Sequence, residues 1–582
     1  MSAKFSLKKG ILPVVAGFLL SGFVIWWYLF LNPYISLVYR EQTQMFLFSW
    51  DYFLRYLNLP GGLTSYLASF LVQFFHYRAL GIMIYLSVFL CFYAVFKQVL
   101  EKFSLFKDSF LIAFIPGLLF LPASVHILFD LADELAVIIA LYGFIILAGV
   151  ASKRFYYFLI PLTVTVLYAL VGGCVLISLT LFVLFSVFRQ TKNNMRQIAT
   201  GILSLLIPLI LWYIFYMVSF TNACFALTHF RYPEARLLDS RGMAWLAAGV
   251  IPLIGLLFQK IRTGKKWMLF CDITLAVIIL IVIVKQNRSE LENNIMMGFF
   301  AENHQWENIL TTHKKTSINP VSCYYTNLAL QKTGQMAEKM FHYEQTGISG
   351  LFVEKKDYFS SSVKSDLFYQ LGWINPAQQY AYESMIAYSS VKEPNIRNMK
   401  RLLDCAVVRQ DSLLAFKYEK ILNKTLFYKD YAKKQHYPPA IKMKNTIIQN
   451  IPALLESILE DNSKNQAVFE YLMAYYLLER DYEKAKNCFD RYFSNFSYLH
   501  IPTHYAEFLA LYKSFKNLDD RFFTQYPISR EIREQFDMMD MLCSSAMTKQ
   551  IKRTLDDGFK NTYWYYVRFP LVKSKANAKK IQ

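Results

Sequence analysis

The chain has 582 residues, 55% of them hydrophobic and 17% aromatic, with a formal charge of +20. In the first half the basic residues lie between long apolar runs, as Lys and Arg do in the cytoplasmic loops of membrane proteins, so there the charge argues against a nucleic-acid partner. The eight cysteines are scattered without a CxxC pair, which excludes a disulfide framework or a cysteine zinc site as the organising feature.

Residues 1–285 are a series of apolar runs, and residues 286–582 have the composition of a soluble protein. The basic N-terminus, MSAKFSLKKG, precedes an apolar run over 11–31. This run is long enough to span a bilayer, ends in Trp26, Trp27, Tyr28 and Phe30, and has no small-residue cleavage site after it. It reads as an uncleaved first span. Further spans are expected near 79–98, 109–125, 131–150, 155–171, 174–188, 197–219, 242–259 and 267–285, about nine in all. Those at 155–171 and 174–188 are short and joined by Gly172-Gly173, so a re-entrant pair is the alternative there.

The distribution of cations orients the spans. A cytoplasmic start puts Lys4, Lys8, Lys9, Lys97, Lys102, Lys107, Lys153, Arg154, Arg189, Lys192, Arg196, Lys260, Arg262, Lys265 and Lys266 inside. The outer loops then hold only Arg40, Arg55, Arg78, Arg231, Arg236 and Arg241. Nine spans place residues 286–582 outside, which for a bacterial inner membrane means the periplasm. All six outer cations are Arg, whose planar fork suits phosphate. Arg231, Arg236 and Arg241 cluster in one loop, where lipid-phosphate binding competes with simple anchoring against Glu234 and Asp239.

Two outer stretches carry acids. Residues 40–78 are too polar to span and too apolar for a solvated loop, and Pro60-Gly61-Gly62 divides them into two amphipathic helical pieces. The first piece places Glu41, Gln44, Asp51 and Arg55 near one stripe, as an interfacial helix or a cavity plug would. At the start of the span over 131–150, His126, Asp130, Asp133 and Glu134 stand at offsets of 0, 4, 7 and 8. That spacing suits a divalent metal such as Mg or Mn, or else an acid-rich first turn favoured by the helix dipole.

The second half reads as successive helices. LALQKTGQMAEKMF (328–341), YQLGWINPAQQYAYESM (369–385), CAVVRQDSLLAFKYEKIL (405–422) and YLMAYYLLERDYEKAKNCFDRY (471–492) share a helix, a tight turn and a second helix. The second helix carries a small residue: Ala337, Ala377, Ala415 or Ala485. No Walker loop, GxSxG, HExxH or GxGxxG occurs, and His304, His313, His342, His436, His500 and His504 are dispersed structural or surface residues.

These repeats resemble degenerate tetratricopeptide (TPR) repeats, which implies a soluble α-solenoid with a concave face for a protein or glycan partner. In architecture the membrane half resembles the GT-C class of membrane glycosyltransferases. It has a first span, then juxtamembrane helices with an acid, acids in the next outer loop, and basic residues beyond; no strict DxD occurs in that second loop. The resemblance implies transfer of a sugar from a lipid-linked phosphate. Asp51 or Glu41 would be the general base, Arg231, Arg236 and Arg241 would hold the phosphate and membrane lipid, and a divalent ion would sit at Asp130, Asp133, Glu134 and His126. A non-enzymatic, membrane-anchored scaffold for envelope assembly is the alternative. The whole chain also resembles an uncharacterised bacterial multi-pass membrane family with a helical C-terminal half.

A reporter active only in the periplasm should give signal when fused after Gln582 and none after Lys192. The opposite pattern reverses the orientation.

Overall fold

The computed structural model describes residues 15, 17–31, 34–105, 111–124, 130–188, 194–215, 219–228, 240–258, 274, 281, 290–313, 318–353, 358–387, 395–433, 450–545 and 548–569. Among the described residues all regular structure is helical, and the chain divides into two compact units. The first comprises Met1–Arg288 together with Lys420–Lys433; the second comprises Ser289–Glu419 and Lys434–Gln582.

Four stretches of the first unit are long and apolar enough to cross a membrane: Arg78–Lys102, Leu131–Val150, Tyr156–Phe188 and Met195–Ile214. Gly17–Phe30 and Ile112–Pro122 are shorter apolar helices. In chain order the helices used below are α1 (Gly17–Phe30), α2 (Tyr34–Gln42), α3 (Trp50–Leu57), α4 (Gly62–Val72), α5 (Arg78–Lys102), α6 (Ile115–Ala123), α7 (Leu131–Val150), α8 (Tyr156–Val171), α9 (Val175–Phe188) and α10 (Ser240–Phe258). The expected span at 242–259 coincides with α10, whereas that at 267–285 lies almost wholly outside the described residues.

Helix α7 is the centre of the unit, because it offers small residues to its neighbours. Ala132, Ala136, Ala140 and Gly143 let side chains approach its backbone closely. Ser178 of α9 donates to the Ala140 carbonyl (2.6 Å), and Leu167 of α8 lies against Gly143. Further along, the rings of Phe144 and Phe185 meet at 5.8 Å. Ala140 pairs with Ser178 and Phe144 with Phe185, so α9 runs parallel to α7. The 33-residue apolar stretch Tyr156–Phe188 therefore folds back on itself at Gly172.

That reversal demands glycine twice. Gly172 has φ +57, a conformation that side-chain-bearing residues rarely adopt. A Cβ on Gly173 would stand 2.1 Å from the Cys224 carbonyl oxygen. The turn is closed by two other segments: Gly61 N–H donates to the Ala169 carbonyl (3.2 Å), Thr64 Oγ1 to the Leu170 carbonyl (2.6 Å) and Gly173 N–H to the Ala226 carbonyl (3.0 Å). Residues 60–64, 169–174 and 223–228 thus meet at one end of the bundle.

The stretch over 40–78 departs from its expected shape. Its first piece is two helices, α2 and α3, separated by non-helical residues 44–48, so Glu41 and Asp51 do not share a stripe. Two bonds shape this break: Phe48 N–H donates to the distant Lys424 carbonyl (2.8 Å), and Ser49 starts α3 by accepting from Tyr52 N–H (3.4 Å). The break at Pro60-Gly61-Gly62 is where expected, and α4 begins at Gly62. Tyr52 and Tyr56 of α3 are buried, while Trp50, Leu54 and Leu57 are exposed.

In the second unit one turn recurs. His304, Gly334, Gly372, Gln410, Arg480 and Asn517 all have positive φ, from +50 to +83. After each, the next N–H reaches back five residues: Gln335 to Leu330 (2.7 Å), Trp373 to Phe368 (2.6 Å), Asp411 to Ala406 (2.9 Å), Asp481 to Tyr476 (3.0 Å). Gln305 to Phe300 (2.8 Å) and Leu518 to Lys513 (3.1 Å) repeat the bond. This is the Schellman ending, which satisfies carbonyls that a terminating helix would leave bare. Gly334, Gly372 and Gln410 follow one another at intervals of 38 residues. Ala377, Ala415 and Ala485 each lie five residues beyond their turn, and all are buried.

Buried polar groups tie the helices of this unit together. Asp366 accepts from Arg397 and from Arg401 (2.9 Å). His504 Nε2 accepts from Phe341 N–H (3.2 Å), so Nδ1 carries the proton and donates to Glu507 (2.8 Å). Glu507 also accepts from Tyr563 N–H (2.8 Å). Such buried networks favour one packing over others.

Ala485 is fully buried between helices Gln466–Glu479 and Tyr482–Tyr492. Ala485→Trp forces an indole into that contact and should destabilise the unit by about 1–3 kcal/mol, read as a lower thermal midpoint by circular dichroism.

Candidate functional site

A polar centre is built where α1, α2, α5, α6 and α7 come together in the apolar first unit. The α2 residue Arg40 donates through Nη1 to Tyr85 Oη of α5 (2.9 Å) and through Nη2 to the Ser124 carbonyl at the end of α6. Ser124 Oγ donates to the Leu121 carbonyl (2.7 Å), so it must accept from Tyr28 Oη (2.7 Å). The rings of Tyr28 and Tyr85 stack at 4.7 Å. Asp130 caps α7 by accepting from Ala132 N–H (3.1 Å). Glu134, one turn later and buried, feels the charge of Arg40, and Tyr85 feels both Glu134 and Asp130. Ionisable groups inside an apolar bundle are costly, and they persist where they are paired with one another or serve a substrate.

The acids of α7 separate by direction. Asp130 and Glu134 lie on the side of Arg40 and Tyr85. Asp133 lies toward Cys174, whose thiol donates to the Leu227 carbonyl (2.8 Å). Adjacent helical positions differ by about 100°, and this difference sends Asp133 and Glu134 to different neighbours. Among the described residues no group of three or more His, Cys, Asp or Glu is arranged to hold a metal. His126, Arg231 and Arg236 lie outside the described residues, and Arg241 is placed only as backbone within α10.

Glu41 and Asp51 have different settings. Asp51 is exposed in the first turn of α3. Glu41 is 3% exposed and accepts from Tyr428 Oη (2.7 Å), a residue of the Lys420–Lys433 segment that belongs to this unit. In the same segment Phe427 stacks on His76 at 5.0 Å and meets the edges of Phe74 and Tyr77. The segment therefore closes over the juxtamembrane helices through a carboxylate bond and an aromatic cluster.

Sequence reasoning missed Tyr28, Tyr85, Ser124 and Tyr428. Tyr28 and Tyr85 lie in apolar runs, where tyrosines look like packing residues, and the available signal was the charge of Arg40. Arg40 and Arg78 act alike on nearby helix ends. Arg78 Nη2 donates to the Leu29 carbonyl near the end of α1 (2.5 Å), as Arg40 does to Ser124 at the end of α6. Helix ends leave carbonyls that cations satisfy well.

The architecture is that of an all-helical membrane protein whose second unit is also wholly helical among the described residues. The chain matches, over residues 9–570, a family of unknown function, DUF6057, and belongs to it. No curated protein and no solved structure matches the chain.

Arg40→Gln removes the donors to Tyr85 and Ser124, and each buried acceptor left bare costs about 1–3 kcal/mol. The thermal midpoint in detergent should fall. Because Glu134 then lacks its cation, the double variant Arg40→Gln/Glu134→Gln should recover part of the loss. Strictly additive losses would show that the two groups are uncoupled.

Proposed function

We propose that the protein is a multi-pass transferase of GT-C type that moves a sugar from a lipid-linked phosphate at the outer face of a bacterial inner membrane. The observation that carries the reading is the burial of Asp130 and Glu134, with the tyrosine and serine hydroxyls, inside an apolar bundle beside the half-buried Arg40. In this reading the chain has about nine spans and a cytoplasmic N-terminus, and the second unit is a periplasmic TPR-like solenoid that presents the acceptor. The convergence of residues 60–64, 169–174 and 223–228 supports the topology, since all three segments are assigned to the outer side.

The reaction forms a bond between an acceptor hydroxyl oxygen and the anomeric carbon, and breaks the bond from that carbon to the lipid phosphate oxygen. A carboxylate takes the hydroxyl proton. Exposed Asp51 suits this role better than Glu41, whose oxygen is already bonded to Tyr428. Cations stabilise the leaving phosphate: Arg231, Arg236 and Arg241 in the loop, with Arg40 balancing the buried acids. Asp130 and Glu134 would be the acids available to a Mg or Mn ion, which would supply Lewis-acid stabilisation, whereas Asp133 faces Cys174.

A second reading, a membrane-anchored scaffold for envelope assembly, is favoured by the repeated Schellman turns, which suit stacked helical pairs that recruit a partner. The two readings differ in what they require of the acids. Asp51→Asn, Glu41→Gln, Asp130→Asn and Glu134→Gln keep shape and remove charge. In complementation of a deletion strain with envelope-glycan profiling, the transferase reading expects at least one of them, at normal abundance, to lose about 10²–10⁴-fold in product. Wild-type behaviour from all four selects the scaffold.

A further inference from the structure

The second unit holds an open cavity of about 540 Å³ that the centre described above does not use. Its size falls within the range of about 300–1,000 Å³ typical of small-molecule sites. The floor is apolar and fixed: Leu310 and Tyr343 are buried, and the Tyr343 ring packs edge-on against His313 at 5.5 Å. The rim is polar and reachable, formed by Glu307, Gln335, Lys339, His342 and Asn561. Glu307 follows the turn at His304, and Gln335 and Lys339 follow the turn at Gly334, so two successive repeats contribute matching helix starts.

The rim is held in place from behind. Glu338, next to Lys339, accepts from Thr503 N–H (2.9 Å) and Oγ1 (2.5 Å) and contacts His500 (3.0 Å). Lys560, next to Asn561, pairs with Glu344 at 3.3 Å. Within the rim, Lys339 Nζ donates to Gln335 Oε1 (2.9 Å), which leaves the Gln335 amide N–H groups to donate elsewhere.

This wall discriminates among ligand classes. The wall carries one ammonium and one carboxylate, so neither a phosphate nor a bare cation finds a net opposite charge. Two carboxamides, a carboxylate, an ammonium and an imidazole interleave donors with acceptors. That mixture suits hydroxyl groups, each of which both donates and accepts, and a tyrosine-leucine floor suits the C–H face of a pyranose. We propose that this cavity is a binding site for a neutral oligosaccharide. The proposal rests on the glycan-acceptor part of the transferase reading and names the site at which that acceptor is held.

The test is saturation-transfer NMR and calorimetry on the full chain in a detergent without a sugar headgroup. Maltotriose, mannotriose and chitotriose are the probes, with trialanine and inorganic phosphate as competitors. At least one trisaccharide should bind saturably. Glu307→Ala and Gln335→Ala, both on the accessible rim and checked for an unchanged thermal midpoint, should each weaken that binding tenfold or more. Glu531→Gln, on another helix, should leave it intact. The proposal is overturned if no trisaccharide binds, if binding survives both rim variants, or if trialanine or phosphate occupies the cavity in preference. Absent saccharide binding alongside inactive acid variants removes this site and leaves the transferase reading standing. Saccharide binding alongside fully active acid variants does the reverse.

Discussion

The membrane unit depends on satisfying backbone polar groups where the chain stops being helical inside an apolar bundle. Without water to bond them, bare amides and carbonyls are expensive, so every reversal must borrow partners from another segment. The turn at Gly172-Gly173 borrows from residues 61–64 and 226, and those segments are positioned by it in return. Glycine is required because the donors and acceptors approach too closely for a Cβ. Arg40 and Arg78 extend the same principle to helix ends, where guanidinium groups replace missing helical donors.

The polar centre follows from this constraint. Once Arg40 is drawn into the bundle to bond the Ser124 carbonyl, its charge must be balanced nearby. Glu134 and Asp130 on α7 lie within electrostatic range. The stacked pair Tyr28 and Tyr85 supplies hydroxyls to the same network without adding charge. A structural need and a chemically capable site thus coincide: one cation, two acids and three hydroxyls are gathered at the end of the bundle that carries the loops.

The second unit solves the helix-end problem by repetition. Gly334 and Gly372 are natural left-handed residues, but Gln410 and Arg480 adopt the same conformation in equivalent places. The strain of a side chain at positive φ is small beside the two carbonyls that the turn satisfies and the packing it permits. Alanine five residues later keeps the following helix close to its neighbour, which explains why Ala377, Ala415 and Ala485 are almost completely buried.

By itself the sequence determined the helical class, the change of character near residue 286, the break at Pro60-Gly61-Gly62 and the period near 38 residues. All of these are written in local composition and spacing. It singled out Asp130 and Glu134 because acids at the start of an apolar run are conspicuous. It could not separate Asp133 from them, since that depends on which neighbours α7 meets on each side. Nor could it find Tyr428 on Glu41 or Phe427 on His76, because partners about 350–390 residues apart leave no local pattern. Tertiary structure alone decided these pairings, for the physical reason that a buried carboxylate is stable only where the fold happens to bring it a donor.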